Sequence, residues 1–526
     1  MKWFSGVCRI VGMAVAGVVV FGGDAGLEAR QWVFPGVEEP VEAEFVSMGN
    51  GYVILRGANG KSFELPLANF SEADRMFVSL LGDGTSGEAA AMPRSERVTR
   101  RSGYRRVREE AVVGRMISPG AACEYHLTGE GDPLRGSSVN FTHEDGWLFF
   151  EKVRPSAVAA DFLNRMLVNG RVAEPGANVR VTAHGQGTVV IPQGADFPAL
   201  RLYDGVGLAG ESTELKCHVA YDGGKLGAAG GGARSLVLKR GYMATLASRE
   251  NGMGVSRNYV AQDHDVVVRD LPEGLAGEVR FVRVFPWRWT SKKGIAGNLH
   301  EKLNVGWFYN WNLNRSSTPE LEYVPIKQKR HWPGMNQDWR ERGAVHLLGF
   351  NEPDKKKQAN MTVDAAIKAW PELQKTGLRL GSPSTSDGGL DWLYKFMERA
   401  DREGLRVDFV AVHYYRAVPD PGNGALAAER MRRFLEQVHE RTGRPIWVTE
   451  WNNGANWTKD PDPNPKQQKE AVEAMIEMMD KAPFVERYAL FNWVEKCREL
   501  VSGDGSLTPA GEAYRDWVSP VSFVQP

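Results

Sequence analysis

Two glutamates stand at the ends of short apolar runs, in positions where a carboxylate can carry out chemistry. Glu352 ends a run that begins at Leu347 and precedes Pro353, and Glu450 ends a run that begins at Pro445. Each run is too short for a comfortable helix and is typical of a buried strand, and the proline stops further ladder pairing. A carboxylate at the mouth of a buried strand costs free energy unless it is hydrogen-bonded, so a residue found there is a candidate for catalysis. Two such glutamates are the minimum set of groups for cleaving a glycosidic bond.

The elements that must position these glutamates are an alternation of strand and helix patterns from residue 278 to the C-terminus. The predicted strands are Val279–Trp287, Asn304–Trp311, Leu321–Ile326, Val345–Asn351, Leu378–Ser382, Phe409–Tyr415, Ile446–Thr449 and Tyr488–Trp493. The predicted helices include Thr362–Thr376, Leu390–Glu403, Ala425–Arg441 and Pro465–Lys481. Eight strands with intervening helices over about 250 residues indicate a (β/α)8 TIM barrel. Glu352 then ends the fourth strand and Glu450 the seventh, so both face the mouth formed by the carboxyl ends of the strands.

The motifs of this half, taken in order, resemble glycoside hydrolase family 128 of clan A. They are Lys292–Gly294, Gly306–Trp311, Tyr323–Pro325, Leu348–Asp354, Gly381–Pro383, Asp408–Tyr415 and Ile446–Glu450. Members of this family are endo-β-1,3-glucanases, and the resemblance implies Glu352 as acid/base and Glu450 as nucleophile of a retaining enzyme. The chain departs from the usual pattern at Tyr414-Tyr415 and at Trp451, beside the sugar, so the linkage is less well specified than the reaction.

The chemistry of a retaining enzyme sets further expectations for the site. Glu352 must be protonated for the first step, so we expect the nearby charge of Glu450 to raise its pKa. Asn351 is expected to bind the sugar 2-hydroxyl. His413 and Tyr415 share one face of a strand and reach the cleft if that face points inward; a core histidine is the alternative.

Aromatic and amide side chains at other strand ends complete the expected substrate-binding set. These are Trp493, Asn310, Trp311 and Trp451, each of which could instead serve barrel packing. The run Lys355–Lys357 follows the acid/base and is expected to be simply solvated, and no role is assigned to Asp354 or Asp387.

Residues 1–29 have the pattern of a signal peptide, with a basic start and a short apolar run. An uncleaved anchor is the alternative. We therefore expect a secreted, periplasmic or cell-envelope protein.

Residues 30–81 contain strand patterns joined by turns at Asn50-Gly51 and Asn59-Gly60, then a helix start at Ser71. The order of these features resembles the small SH3-like barrel called the Sla homology domain, type one. The resemblance implies an adaptor that binds a protein or peptide partner.

Residues 82–118 are expected to form a linker, because they begin with a glycine-rich stretch and continue into an arginine-rich run. Residues 119–277 show short strand patterns separated by turns, which indicates a β-sandwich or jelly roll. Such an accessory domain could bind carbohydrate or act as a spacer. The catalytic domain would then span residues 278–526.

Composition limits the other function classes. Equal numbers of basic and acidic residues, 65 of each, give no reason to expect nucleic acid or an anionic membrane as partner. Cys123, Cys217 and Cys497 lack CxxC spacing, so neither a metal nor another cofactor is expected; a Cys123–Cys217 bridge and three free thiols both remain open. Two other readings stay open beside the β-glucanase: a hydrolase of another β-linked polysaccharide, and a glycan-binding scaffold without catalysis.

Overall fold

The computed structural model describes residues 30–32, 41–49, 52–66, 69–71, 74, 104–193, 198–227, 232–521 and 523. The chain divides into two units, Met1–Ala91 and Met92–Pro526. The predicted signal peptide, the Asn50-Gly51 turn, most of the helix predicted from Ser71 and the arginine run up to residue 103 lie outside the described residues. No helix in the described ranges is long and apolar enough to cross a membrane.

The first unit contains a four-stranded antiparallel sheet in the order β1-β2-β3-β4. The strands are β1 (Arg30–Trp32), β2 (Val41–Gly49), β3 (Tyr52–Gly57) and β4 (Ser62–Pro66). Trp32 is fully buried, donates from Nε1 to the carbonyl of Ala43 at 2.8 Å and packs edge-on against Phe70. A single indole therefore anchors the small core.

The second unit begins with two sheets of mainly parallel strands. The elements are β5 (Arg105–Glu109), β6 (Met116–Ile117), β7 (Cys123–Leu127), β8 (Ser138–Phe141), β9 (Gly146–Phe150), α1 (Pro155–Asp161), β10 (Met166–Val168), β11 (Arg171–Val172), β12 (Val179–His184) and β13 (Gly187–Pro192). Strands β5, β7 and β9 pair in parallel in one sheet, and β6, β8 and β10 do so in the other. The linker prediction is therefore wrong for residues 104–118, because β5 and β6 are paired parts of this body.

A second β-region follows and is antiparallel. Its strands are β14 (Pro198–Tyr203), β15 (Ser212–Lys216), β16 (Ala220–Asp222), β17 (Ser235–Leu238), β18 (Tyr242–Ala247), β19 (Ser256–Ala261), β20 (Val266–Val268) and β21 (Phe281–Pro286). They form two four-stranded sheets, β15-β14-β17-β20 and β16-β21-β18-β19. The single sandwich predicted over residues 119–277 is thus two β-regions with separate cores. The predicted boundary at residue 278 is also wrong, because β21 pairs with β16 and β18.

Eight parallel strands of the remaining chain pair into a closed ring, the barrel. They are β22 (Lys293–Ala296), β23 (Trp307–Tyr309), β24 (Glu322–Tyr323), β25 (His346–Leu347), β26 (Arg379–Leu380), β27 (Val410–Tyr414), β28 (Ile446–Trp451) and β29 (Val485–Phe491). Six form one sheet in the order β24-β23-β22-β29-β28-β27, and β25 pairs with β26. Parallel bridges from Ile326 to Leu348 and from Gly381 to Phe409 close the two gaps.

The helices of the barrel region are α2 (His300–Leu303), α3 (Val363–Ala369), α4 (Pro371–Gln374), α5 (Leu390–Arg402), α6 (Gly424–Thr442), α7 (Pro465–Lys481) and α8 (Pro509–Asp516). The helices α3 to α7 fall within the predicted helical patterns or within one residue of them. No α-helix connects β23 to β24 or β24 to β25 within the described residues.

The first barrel strand is β22, not the predicted Val279–Trp287. Two lysines at the start of β22, Lys292 and Lys293, are buried. Lys292 donates from Nζ to the carbonyls of Met479, Asp480 and Ala482 at 3.0–3.1 Å, and Lys293 donates to the carbonyls of Tyr514 and Trp517 at the C-terminal end of α8. Cations at helix C-termini satisfy carbonyls that have no helical partner, which makes their burial tolerable.

Candidate active site

A cleft of about 840 Å³ opens at the carboxyl ends of the barrel strands. It is lined by Trp311, Gln328, Asn351, Glu352, Lys355, Lys356, Lys357, Gln358, Ser386, Asp387, Tyr415, Glu450, Trp457, Phe491 and Trp493. Both glutamates identified from sequence therefore face one cavity. A cavity of this size accommodates several sugar rings, with aromatic walls suited to stacking.

Glu450 lies on β28, and its carboxylate is held by three donors. Oε1 accepts hydrogen bonds from the Tyr309 hydroxyl and the Trp311 indole, each at 2.9 Å, and Oε2 accepts one from the Tyr415 hydroxyl at 2.7 Å. Burial raises the pKa of both tyrosines well above the usual value, and the negative charge of Glu450 raises it further. Both hydroxyls therefore remain protonated donors, and the carboxylate is fixed in orientation.

Glu352 lies just beyond the fourth barrel strand, in a backbone conformation that few side chains adopt. Its φ is 40°, and its backbone N–H donates to the carbonyl of Ser384 at 2.8 Å. A left-handed conformation costs free energy in a residue other than glycine, asparagine or aspartate, and such strain concentrates at functional sites. Here it coincides with the position of Glu352 in the cleft, where the carboxylate meets His413.

His413 on β27 connects the two glutamates. Its Nδ1 lies 3.0 Å from Oε1 of Glu352 and 3.4 Å from Oε2 of Glu450. The two carboxylate oxygens are therefore separated by no more than the sum of these two distances. Burial lowers the pKa of His413, but the charge of Glu450 and the hydrogen bond and charge of Glu352 outweigh it, so the net pKa is raised. The imidazole is thus favoured as a cation between two carboxylates.

The expected rise in the pKa of Glu352 is wrong for this structure. Burial raises that pKa, but the hydrogen bond and charge of His413, together with the charge of Lys355, lower it below the usual value. The charge of Glu450 does not dominate, because the cationic imidazole of His413 contacts both carboxylates. The proton expected on Glu352 is instead favoured on His413.

Asn351, Trp311, Tyr415 and Trp493 line the cleft as expected, and His413 is buried beside the two carboxylates. Asn351 donates weakly to Gln358 at 3.4 Å, and its buried Oδ1 accepts no hydrogen bond from the described residues. Trp493 is 48% exposed and packs edge-on against Phe491, so its ring is available to a ligand.

Two residues of the expected substrate-binding set are placed elsewhere. Trp451 is fully buried and packs against Tyr488 and Tyr514, because neighbouring residues on a strand point to opposite faces and Glu450 occupies the inward one. Asn310 does not line the cleft and instead donates to Asn298 and Asn314. The predicted substrate contact of Trp451 is therefore wrong for this structure, and that of Asn310 stays a prediction.

Several residues of the site were not singled out from sequence. Tyr309 could have been found, because it lies two residues before Trp311 and a period of two places both on one face. Trp457, which is 62% exposed and contacts the Tyr415 ring, lies in a loop after β28 that carries no strand or helix signal. Asp387 accepts a hydrogen bond from the backbone of Tyr415 at 3.2 Å.

The cysteines and one acidic cluster were tested for metal chemistry. Cys123, Cys217 and Cys497 are free thiols, so the Cys123–Cys217 bridge does not form. Asp462, Glu495 and Cys497 bring three potential ligand atoms together, but the Arg498 guanidinium forms ion pairs with both carboxylates. The positive charge of the guanidinium neutralises the two carboxylates that a metal ion would need as ligands.

Comparison with known proteins gives matches over the barrel region. Residues 286–514 match the family model described as glycosyl hydrolase catalytic core. Alkali-sensitive linkage protein 1 of Schizosaccharomyces pombe is 29% identical over 248 residues, and the match covers 44% of each protein. The chain thus spans less than half the length of this curated relative.

Similar solved structures cover the same part of the chain. An endo-β-1,3-glucanase of glycoside hydrolase family 128, subgroup I, from Amycolatopsis mediterranei with laminaritriose is 31% identical, covering 43% of this chain and 98% of that chain, with a TM-score of 0.38. A curdlan-specific exo-β-1,3-glucanase of subgroup III from Blastomyces gilchristii is 29% identical, with coverage of 43% and 98% and a TM-score of 0.36. The family match and the paired glutamates in one cleft together support a glycoside hydrolase in the C-terminal part of this chain.

Proposed function

We propose that this protein is a retaining β-glucan hydrolase with a (β/α)8 catalytic barrel, acting as an endo-β-1,3-glucanase. The observation that carries the proposal is the contact of one His413 nitrogen with both glutamates, at 3.0 and 3.4 Å. Retaining enzymes hold their carboxyl groups about 5–5.5 Å apart, whereas inverting enzymes need about 6.5–9.5 Å to admit a water. Contact of one imidazole nitrogen with both carboxylates supports the closer pairing of a retaining enzyme.

Glu450 is the nucleophile in this mechanism. Its carboxylate attacks the anomeric carbon and forms a glycosyl ester as the bond to the leaving oxygen breaks. The donors from Tyr309, Trp311 and Tyr415 fix the direction of attack, so little orientational freedom is lost in the transition state. Asn351, whose side-chain Oδ1 accepts no hydrogen bond from the described residues, accepts one from the 2-hydroxyl of the sugar in this mechanism.

Glu352 is the acid/base, and His413 supplies its proton. The Nδ1–H of His413 points at Oε1 of Glu352, so the proton passes to the carboxylate when the glycosidic oxygen arrives as acceptor. When the ester forms, the negative charge on Glu450 disappears, and Glu352 then removes a proton from the attacking water. The proton that the first step needs therefore lies on His413, one hydrogen bond away from Glu352.

The substrate class comes from the order of motifs, which resembles that of β-1,3-glucanases, and from the exposed aromatic rings of Trp457 and Trp493. Such rings suit the apolar faces of β-linked glucose. A screen of laminarin, xylan and mannan, with product lengths, separates β-1,3-glucan from other β-linked polymers and endo from exo action. Xylan or mannan as the preferred polymer would overturn the substrate and leave the reaction class in place.

The test of the reaction is the Glu450→Gln variant, which keeps the size of the side chain and removes the nucleophile. Reducing ends released from laminarin should fall to the background level. Retained binding of laminarin by both proteins without hydrolysis by the wild type would favour the glycan-binding scaffold instead.

Two assignments of the N-terminal region belong to the same proposal. Residues 1–29 direct export, which the mass of the mature protein in the culture medium or periplasm tests. The four-stranded unit is an SH3-like adaptor for a peptide or protein partner, which capture with residues 30–81 and the full chain as baits tests.

A further inference from the structure

A cluster of unpaired lysines lines one wall of the cleft. Lys355, Lys356 and Lys357 begin three residues after the acid/base Glu352 and are all exposed. None of the three forms an ion pair with a residue that the structure describes, although elsewhere in the C-terminal unit exposed lysines such as Lys368, Lys395 and Lys481 do. Simple solvation, as expected from the sequence, does not explain why these three lysines line the cleft.

The carboxylates near Lys355–Lys357 already accept hydrogen bonds from other groups. Glu352 is bound by His413, and Glu450 by tyrosine and indole donors. Asp387 accepts from the backbone of Tyr415, and Asp354 accepts from the backbone and hydroxyl of Ser386. The lysine ammonium groups therefore remain available to a ligand.

The positive charge continues onto the neighbouring loop. Gln328 lines the cleft, and its carbonyl accepts a hydrogen bond from the backbone N–H of Asn351 at 3.0 Å, which holds the two loops together. Lys329 and Arg330 follow Gln328 directly and are exposed. Both loops follow barrel strands and so border the same mouth.

A neutral glucan makes no use of this charge. Sugar hydroxyls bind through neutral hydrogen bonds and stacking, whereas an ammonium is a compact, strongly hydrated charge that gains most from an anion. Adjacent like charges also repel each other, and an anionic group between them relieves that repulsion.

We infer that the cleft is built for a β-glucan that carries anionic substituents, which the Lys355–Lys357 wall binds next to the acid/base. This inference rests on the proposed function and defines its substrate class. Lysine contributes a point charge and does not discriminate carboxylate from phosphate. The shared chemistry is therefore a negatively charged group attached to the glucan.

The experiment compares kcat/KM for neutral, carboxymethylated and phosphorylated laminarin of matched chain length. Wild-type enzyme should prefer at least one anionic polymer at low salt, and the preference should shrink at 1 M salt, where the Debye length is only about 3 Å. The K356Q/K357Q variant should lose about threefold to tenfold of the ratio of anionic to neutral kcat/KM. Lys355 is kept because its charge lowers the pKa of Glu352.

The matched control is K466Q/K469Q, which removes two charges from the outer helix α7 and should leave the ratio unchanged. A preference for one anionic polymer identifies the group, and a preference for both supports recognition of charge alone. Hydrolysis of neutral laminarin with no anionic preference, or a ratio unchanged in K356Q/K357Q, overturns the inference and leaves the proposed function standing. No hydrolysis of any of the three polymers overturns the proposed function itself.

Discussion

Removal of the acid/base carboxyl should separate two substrates by their leaving groups. General acid catalysis contributes about 10²- to 10⁴-fold, so Glu352→Ala should lose that factor in kcat on laminarin, where the leaving sugar oxygen needs a proton. An aryl β-glucoside with an acidic phenol departs without protonation, and its glycosylation step should fall by less than about tenfold. Steady-state and burst kinetics on both substrates measure this difference.

The environment of Glu352 predicts which variant an added anion rescues. Glu352→Ala opens space beside His413, whose cationic Nδ1 lies 3.0 Å from the removed oxygen, and Lys355 adds positive charge. Azide should enter that space and attack the glycosyl ester, giving a β-glycosyl azide. Glu352→Gln fills the same space and its amide oxygen still accepts from His413, so it should lose activity without rescue.

This comparison can refute the assignment in two ways. Equal losses on laminarin and on the activated aryl glycoside would show that Glu352 does not protonate the leaving group. Rescue of Glu352→Gln as strongly as of Glu352→Ala would show that the azide acts elsewhere.

Three further perturbations follow from the structure. His413→Asn removes the cation that supplies the proton to Glu352. Because wild-type activity is lost as pH rises through the raised pKa of His413, the descending limb of the kcat profile should move to lower pH in the variant, and an unmoved limb contradicts the role of His413. Trp493→Ala removes an exposed ring that can stack on a sugar, so KM for laminarin should rise about threefold to tenfold with a smaller change in kcat. The control is Trp451→Phe, which changes a ring buried outside the cleft and should leave KM unchanged. Glu322→Gln breaks a buried ion pair with Arg487 at 2.9 Å, beside a hydrogen bond to His346 at 2.7 Å, and should cost about 3–5 kcal/mol of unfolding free energy in urea titrations. Glu398→Gln, in an exposed pair with Arg441, should cost less than about 1 kcal/mol.

The two glutamates were predictable because each follows a short buried strand, and the helices because their apolar periodicity is strong. The antiparallel strand Phe281–Pro286 was misassigned to the barrel because an apolar strand reads the same in either sheet. Its partners, Ala220–Asp222 and Tyr242–Ala247, are distant in sequence. The parallel pairing in the first β-region could not be predicted either, because the residue pattern of a strand does not show whether the strand beside it runs parallel or antiparallel.

The charge state of the site could not be predicted because it depends on three residues from separate strands. Period-two alternation placed His413 on a candidate inward face, but only the fold brings its Nδ1 against both carboxylates. The same limit applies to Lys292 and Lys293, whose buried contacts with carbonyls at the C-terminal ends of two helices have no signal in the sequence. The prediction that Trp451 contacts the substrate was wrong for a simpler reason: neighbouring residues on a strand point to opposite faces, and Glu450 occupies the face toward the cleft.

The stereochemistry of the first product tests the central claim most directly. Proton NMR during early hydrolysis of laminarin-derived oligosaccharides should show the β-anomer at the new reducing end before mutarotation, because attack by Glu450 and then by water inverts the anomeric carbon twice. Initial release of the α-anomer would mean a single displacement by water, and would contradict the assignment of Glu450 as the nucleophile.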